Sequence, residues 1–163
     1  LFCCYNTRHR VGFTMSDYKV LNAEVDHVKN LQEFTQSMCK GANVAFPNLD
    51  ASKSTRYLMK MIQDKTALIL VKDKQVVGAV AGLIMEWWFS DAEYLSEMGF
   101  WIEKEHRNFA TATLLLTEFK KIADKKMIPC MLNTLDGKEI DTREQLFIDN
   151  NFRKLGFTYG YAL

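Results

Sequence analysis

The sequence predicts a mixed α/β fold, a twisted sheet with helices on its faces, in the order β-α-α-β-β-β-α-β-α-β. Three observations carry that expectation. Asp73-Lys74 separates two apolar runs and reads as the turn of a β-hairpin. Residues 109–126 repeat apolar side chains at helical spacing. The segment 94–134 then reads strand, helix, strand, a crossover that requires parallel pairing and a right-handed connection.

Taken in order, residues 18–21 form a short strand, and Asn22 is placed to cap a helix over 24–39, with Val25, Val28, Leu31, Phe34 and Met38 near one face. A loop through Gly41, Pro47 and Asn48 follows. Ser52 or Ser54 opens a second helix to about Asp64, its apolar side made by Tyr57, Leu58, Met61 and Ile62. The hairpin strands are 67–71 and 75–85. Residues 94–102 are apolar at nearly every position except Ser96 and Glu97, as in a strand covered on both faces. The long helix buries Ala112, Leu115, Leu116, Phe119, Ile122 and Ala123. A strand over 127–134, a helix over 143–154 and a last strand over 157–163 complete the order.

The chain has 163 residues, 48% of them hydrophobic and 25% charged, which suits one domain with a real core. Two prolines and eight glycines leave no linker or low-complexity stretch and no internal repeat divides the chain. Met15-Ser16-Asp17 looks like a natural start, so 15–163 is expected to be the single domain and 1–14 an extension outside it. A formal net charge of +1 and the absence of a basic stripe disfavour nucleic acid as a partner. No apolar run approaches the roughly 20 residues that span a bilayer, so no membrane partner is expected either. Cys3, Cys4, Cys39 and Cys130 lack metal-ligand or disulfide-framework spacing. They read as reduced thiols in a cytoplasmic setting, with no metal site.

Any bound anion must therefore be caught locally, and one segment is built for that. After Ile102 comes a charged turn, Glu103-Lys104-Glu105-His106, and then Arg107-Asn108-Phe109-Ala110-Thr111-Ala112 leads into the long helix. The first turn of a helix exposes N–H groups and a partial positive charge. Residues 107–117 hold no acid, Arg107 adds a full charge, and Ala110, Thr111 and Ala112 are small enough for close approach. The same residues also suit an ordinary helix start with a solvated arginine.

The block Ile102-x-x-Glu105-x-Arg107-x-x-Ala110-x-Ala112-x-x-Leu115-Leu116 resembles the acyl-CoA pyrophosphate motif of the GNAT superfamily of N-acetyltransferases, written Gln/Arg-x-x-Gly-x-Gly/Ala. Phe152-Arg153-Lys154-Leu155-Gly156-Phe157 resembles the same superfamily's Tyr-x-Lys-x-Gly-Phe signature. The resemblance covers about 16–163, and looks closest to small acetyltransferase-like proteins of bacteriophages. It implies a GNAT-like acyl-CoA N-acyltransferase fold and acetyl-CoA as co-substrate, with direct attack by a primary amine of a small molecule or protein. Two departures stand out. The first Gly of the motif is Ala110, and the Tyr that often protonates the leaving thiolate is Phe152, which has no proton to give. A thiolate with a pKa near that of cysteine, ~8.5, leaves without that help. Tyr159 and Tyr161 are the candidate substitutes. A non-catalytic acyl-CoA-binding or interaction protein that kept the fold is the rival reading.

The resemblance further implies roles. Phe100, Trp101 and Ile102 would offer main-chain groups to the pantetheine arm and the thioester oxygen. Arg107, Asn108, Phe109, Ala110, Thr111 and Ala112 would hold the diphosphate, and Phe152 would stand near the thiol. Gly99 suits close backbone approach or a bulge, and the strand 127–134 would splay from 94–102 to open a slot. Glu97, an acid on an apolar strand, is the candidate general base, and Glu93 the second choice. Asn133 and Gln145 lie where related enzymes often contact the cofactor arm but equally suit ordinary polar edge positions, and are not counted in the expected site. The aromatics of Glu86-Trp87-Trp88-Phe89 could line a substrate mouth or make a homodimer contact, but a lid folded back on the core is the favoured expectation. His27 and His106 are expected to be solvated.

Overall fold

The computed structural model describes residues 17–41, 48–133 and 140–156. The expected strand over 157–163, with Tyr159 and Tyr161, lies outside the described residues, as do 1–16. One sheet runs β1 (Tyr18–Asn22), β2 (Ala67–Lys72), β3 (Gln75–Trp87), β4 (Ser90–Ile102) and β5 (Cys130–Met131), in that spatial order. The first three pairings are antiparallel and β4–β5 is parallel, the product of the expected crossover. Helices α1 (Val28–Gly41) and α2 (Ala51–Gln63) cover one face, and α3 (Phe109–Lys126) with α4 (Ile140–Asp149) the other.

Each face has its own core because strand side chains alternate. Leu68, Leu70, Val80, Leu95 and Ile102 pack on Leu115, Leu116 and Phe119 of α3. Ala67, Ile69, Ala79, Ala81 and Leu83 pack on Leu31, Phe34, Leu58 and Met61 of α1 and α2. Gly82 has a steric reason to be glycine: an added Cβ would lie 2.7 Å from Phe119 Cζ and 2.7 Å from the Ser96 carbonyl oxygen. The ring at the centre of α3 thus lies directly against the sheet.

Several boundaries move from their expected places, each for a local reason. Asn22 remains in β1 opposite Leu68. The helical segment begins instead at a 3-10 turn, Val25–His27, whose cap is Glu24, with the Glu24 N–H donating to His27 Nδ1 at 2.9 Å. Asp50, not a serine, caps α2 by accepting from the Lys53 N–H at 2.9 Å. The 127–134 strand shrinks to two residues. Met127 is the left-handed C-cap of α3 (φ 56°), and Pro129 has no N–H to give to a ladder. Helix α4 ends at Asp149, so Phe152 falls outside it, and Asn151 turns the chain at φ 64°.

The β3–β4 connection differs most. The strands continue through Trp87 and Ser90, leaving a turn at Trp88 and Phe89. Trp88 is 93% exposed and Phe89 65%. They form no lid; cross-strand stacking of Trp87 on Tyr94, centroids 4.6 Å apart, holds the hairpin extended beyond the cores.

Candidate active site

A single irregularity in β4 organises the site. Ala81 pairs with Gly99 and Gly82 with Glu97, so Met98 is an extra residue in a β-bulge. Leu95 and Glu97 share a face before the bulge. Beyond it Phe100 and Ile102 occupy that same face and join the α3-side core. The bulge also re-aims the main chain. The Glu103 N–H donates to the Val77 carbonyl of β3 at 2.8 Å, which fixes Trp101 as the next residue bonded to β3. The N–H and C=O of Phe100 and Ile102 therefore point the other way, toward the β5 side.

There they meet no strand. β5 pairs with β4 only at Leu95 and Ser96 and then departs. The gap is a cleft whose walls are Glu97, Phe100, Trp101 and Ile102 of β4, Arg107 just before α3, Leu132 and Asn133 after β5, and Arg143, Leu146 and Phe147 of α4. Five of the residues singled out in the sequence thus line one cleft. Asn133, Arg143 and the apolar trio Leu132, Leu146 and Phe147 were not among them. Asn133 had been set aside, and nothing in the local pattern distinguishes Arg143 from a surface arginine.

Glu97 is buried at the inner end. The Asn133 N–H donates to Glu97 Oε2 at 3.2 Å, and Asn133 Nδ2 donates to the Glu97 carbonyl at 3.1 Å. Asn133 therefore both holds the carboxylate and fastens the departing chain to β4. Burial pushes the Glu97 pKa up from 4.5 to about 7, with the Asn133 hydrogen bond and the Arg143 charge pulling less strongly the other way. Burial also raises the nearby Cys130 thiol to about 12, with Glu97 and Asp124 adding to the effect, so it is a neutral thiol at physiological pH. Glu93, the second choice for a base, is exposed on the hairpin away from the cleft, and Gln145 is exposed and donates to Asp149 at 2.6 Å.

The segment 107–112 is more occupied by its own contacts than its sequence suggests. Arg107 Nε and Nη2 donate to the Ile102 carbonyl at 3.0 and 2.9 Å, and the guanidinium lies 4.7 Å from the Trp101 ring centroid. Asn108 caps α3 by accepting from the Thr111 N–H at 3.0 Å, while the Ala112 N–H donates to the Asn108 carbonyl at 3.1 Å. The side chains of Thr111 and Ala112 are buried. Among the described residues, the N–H groups of Phe109 and Ala110 remain for a ligand, beside exposed Ala110. His106 is not simply solvated: Tyr18 Oη lies 3.0 Å from its Nδ1, and its carbonyl accepts from Thr111 Oγ1 at 2.7 Å. The Trp101 indole N–H is buried at the cleft wall with no hydrogen-bond partner among the described residues. Phe152 packs on Phe147, centroids 6.2 Å apart, behind the cleft wall.

A parallel β4–β5 pair that opens beyond a bulge, with a helix starting beside the gap, is the framework of this mixed α/β fold. Solved structures agree. The chain is similar to a predicted acetyltransferase with acetyl-CoA from Clostridium acetobutylicum, at 13% identity, 89% of this chain, 96% of that one and TM-score 0.71. It is similar to a ribosomal-protein-alanine N-acetyltransferase from Brucella melitensis biovar Abortus 2308, at 14%, 90%, 99% and 0.64. A GCN5-related N-acetyltransferase from Ralstonia eutropha JMP134 matches at 9%, 89%, 98% and 0.66. No family model and no curated protein matches the sequence. The fold of this chain is that of the GCN5-related N-acetyltransferases, the GNAT fold.

Proposed function

We propose that the protein is an N-acetyltransferase that moves an acetyl group from acetyl-CoA to a primary amine. The observation that carries this reading is a buried carboxylate, Glu97, in a cleft whose opposite offering is the outward-facing main chain of Phe100 and Ile102. Acid and donor are then on one strand and on one side of it. The acceptor ammonium, with a pKa around 10, gives a proton to Glu97. Its nitrogen adds to the thioester carbonyl, whose oxygen is met by main-chain N–H groups. The carbon–sulfur bond breaks, coenzyme A leaves as the thiolate, and the nitrogen gives its second proton to solvent to leave the neutral amide. A base with a pKa of about 7 is matched to this task at neutral pH.

The fit to acetyl-CoA rests on three features. The cleft is open along the unpaired edge of β4, the Phe109 and Ala110 N–H groups are available at the start of α3, and Ala110 leaves room for a phosphate. Cys130 is held as a neutral thiol, which favours direct transfer over an acyl-cysteine route. Phe152 has no proton to supply, so the thiolate is protonated by solvent after it leaves.

Acetyl-CoA should raise the melting temperature of the full chain, because a ligand of the native state alone stabilises it. Thiol release with a panel of polyamines, amino acids and peptides then tests transfer. Absence of any acetyl-CoA stabilisation refutes the reading. Stabilisation without thiol release across the panel makes the chain an acyl-CoA-binding protein, the reading that Phe152 favours.

A further inference from the structure

Among the described residues the two most exposed large aromatic side chains, Trp88 and Phe89, form the turn between β3 and the strand that carries Glu97. Beyond the cleft β3 and β4 run on as a two-stranded ribbon to the turn at Trp88 and Phe89. Trp87 stacks on Tyr94, and Phe89 lies 5.7 Å from Trp87 and 5.3 Å from Trp88 between ring centroids. Met85, two residues before Trp87, is also exposed. This is a contiguous, pre-ordered apolar patch, of the kind monomeric proteins keep for recognition.

Its rim is acidic. Glu86 and Glu93 stand directly opposite each other in the β3–β4 register, and Asp91 lies between Glu93 and the turn. All three are exposed, and none has a cationic partner among the described residues. Like charges in directly opposed positions destabilise a sheet, so this pair is relieved by a cation that arrives from outside. Aromatic faces add to the same preference, since their quadrupoles attract ammonium and guanidinium groups.

Resting on the transferase reading above, we propose that the β3–β4 hairpin tip docks the acceptor, and that the acceptor is a lysine- or arginine-rich extended segment of a protein. Reach separates this from a small amine. Glu93 lies four residues from Glu97 along β4, about 13 Å, and the turn lies about 25 Å away. A short diamine at Glu97 touches none of the tip, whereas an extended chain of about eight residues covers the whole span. Charge excludes two other occupants. A second copy docked through this acidic face would set both copies' Glu86, Asp91 and Glu93 against each other. An anionic membrane surface would be repelled by the same carboxylates.

The test uses the full-length chain and a fluorescein-labelled lysine- and arginine-rich peptide of about ten residues. Its binding is followed by anisotropy, and its acetylation by thiol release, with spermidine as the short-amine control. Wild type should bind the peptide more weakly as salt rises, and Trp88→Ser and the double Glu86→Gln, Glu93→Gln variant should each bind it about tenfold more weakly. In both variants KM for the peptide should rise with kcat unchanged, spermidine kinetics should stay as in wild type, and acetyl-CoA should stabilise them as it does wild type. Equal peptide binding by wild type and the variants overturns the proposal. So does equal binding of an acidic peptide of the same length, or a wild-type dimer that Trp88→Ser turns into a monomer. Loss of acetyl-CoA stabilisation in wild type itself strikes the transferase reading, and is visible separately from the anisotropy.

Discussion

Replacing Glu97 by Gln should increase stability at alkaline pH while abolishing most of the activity. The carboxyl is neutral-favoured by burial, with a pKa raised from 4.5 to about 7 in the folded chain. Between those values the folded state keeps a proton that the unfolded state has released, so ν_U is smaller than ν_N and stability falls as pH rises. The penalty is absent below about pH 4.5 and complete above about pH 7, where it amounts to about 3 kcal/mol. Cys130 stays protonated across that window and contributes no slope. The Gln side chain keeps an acceptor for the Asn133 N–H but carries no charge to desolvate. Its stability should lack the Glu97 part of the decline. Urea unfolding at pH 5 and pH 8 measures the difference, and comparing the two pH slopes cancels any fixed cost of an unpaired amide. The rate should fall by about 10²–10⁴-fold at pH 8, the usual value of a positioned base. That deficit should narrow about tenfold for each unit below pH 7, as wild type itself loses the ionised base. Equal pH slopes for the two proteins would refute the buried carboxylate, and a small rate loss independent of pH would refute the base.

Arg107→Ala should destabilise the protein by about 2 kcal/mol, because the guanidinium holds the Ile102 carbonyl through two hydrogen bonds and covers the Trp101 ring. Thermal unfolding without ligand reads this directly, and an unchanged melting temperature would show that the arginine is free for a ligand alone. Gly82→Ala should cost about 1–3 kcal/mol by forcing Phe119 off the sheet, whereas Gly99→Ala, whose added Cβ meets only Met38 at 3.8 Å, should be near neutral. Equilibrium unfolding of the pair checks the contrast, which fails if both lose the same stability.

Much of this molecule is legible in its residues because strong periodic signals coincide with long-range packing. The helix over 109–126 repeats apolar residues through every turn, and the structure places it there. The hairpin at Asp73-Lys74 is equally plain: both turn residues adopt positive φ, 49° and 67°, as a tight two-residue connection requires. What sequence could not supply is where main-chain groups go. Arg107 and Asn108 look like ligand donors in a string of letters, yet each donates to its own chain, Arg107 to the Ile102 carbonyl and Asn108 Nδ2 to the His106 carbonyl. His106 finds Tyr18, 88 positions away, through the edge of the sheet. The aromatic run Trp87-Trp88-Phe89 carries the opposite lesson. Hydrophobicity alone argues for burial, but a two-residue turn closing a long ribbon leaves the two residues at its tip nothing to fold onto.

The cleft itself follows from two failures of pairing. Inserting Met98 shifts the alternation of β4 by one, so that Glu97 and Phe100, three apart, share a face on which an unbroken strand would have set them on opposite sides. β5 then leaves β4 after Met131, too soon to cover the shifted edge. Neither feature alone makes a site. A bulge under a full-length β5 would aim the Phe100 N–H into a ladder hydrogen bond, and a short β5 beside a regular strand would leave Glu97 and Phe100 facing different layers. The geometry of this cleft is thus a property of the β4 register more than of any one side chain. Deleting Met98 should therefore remove transfer even though Glu97, Asn133 and Arg107 are all retained.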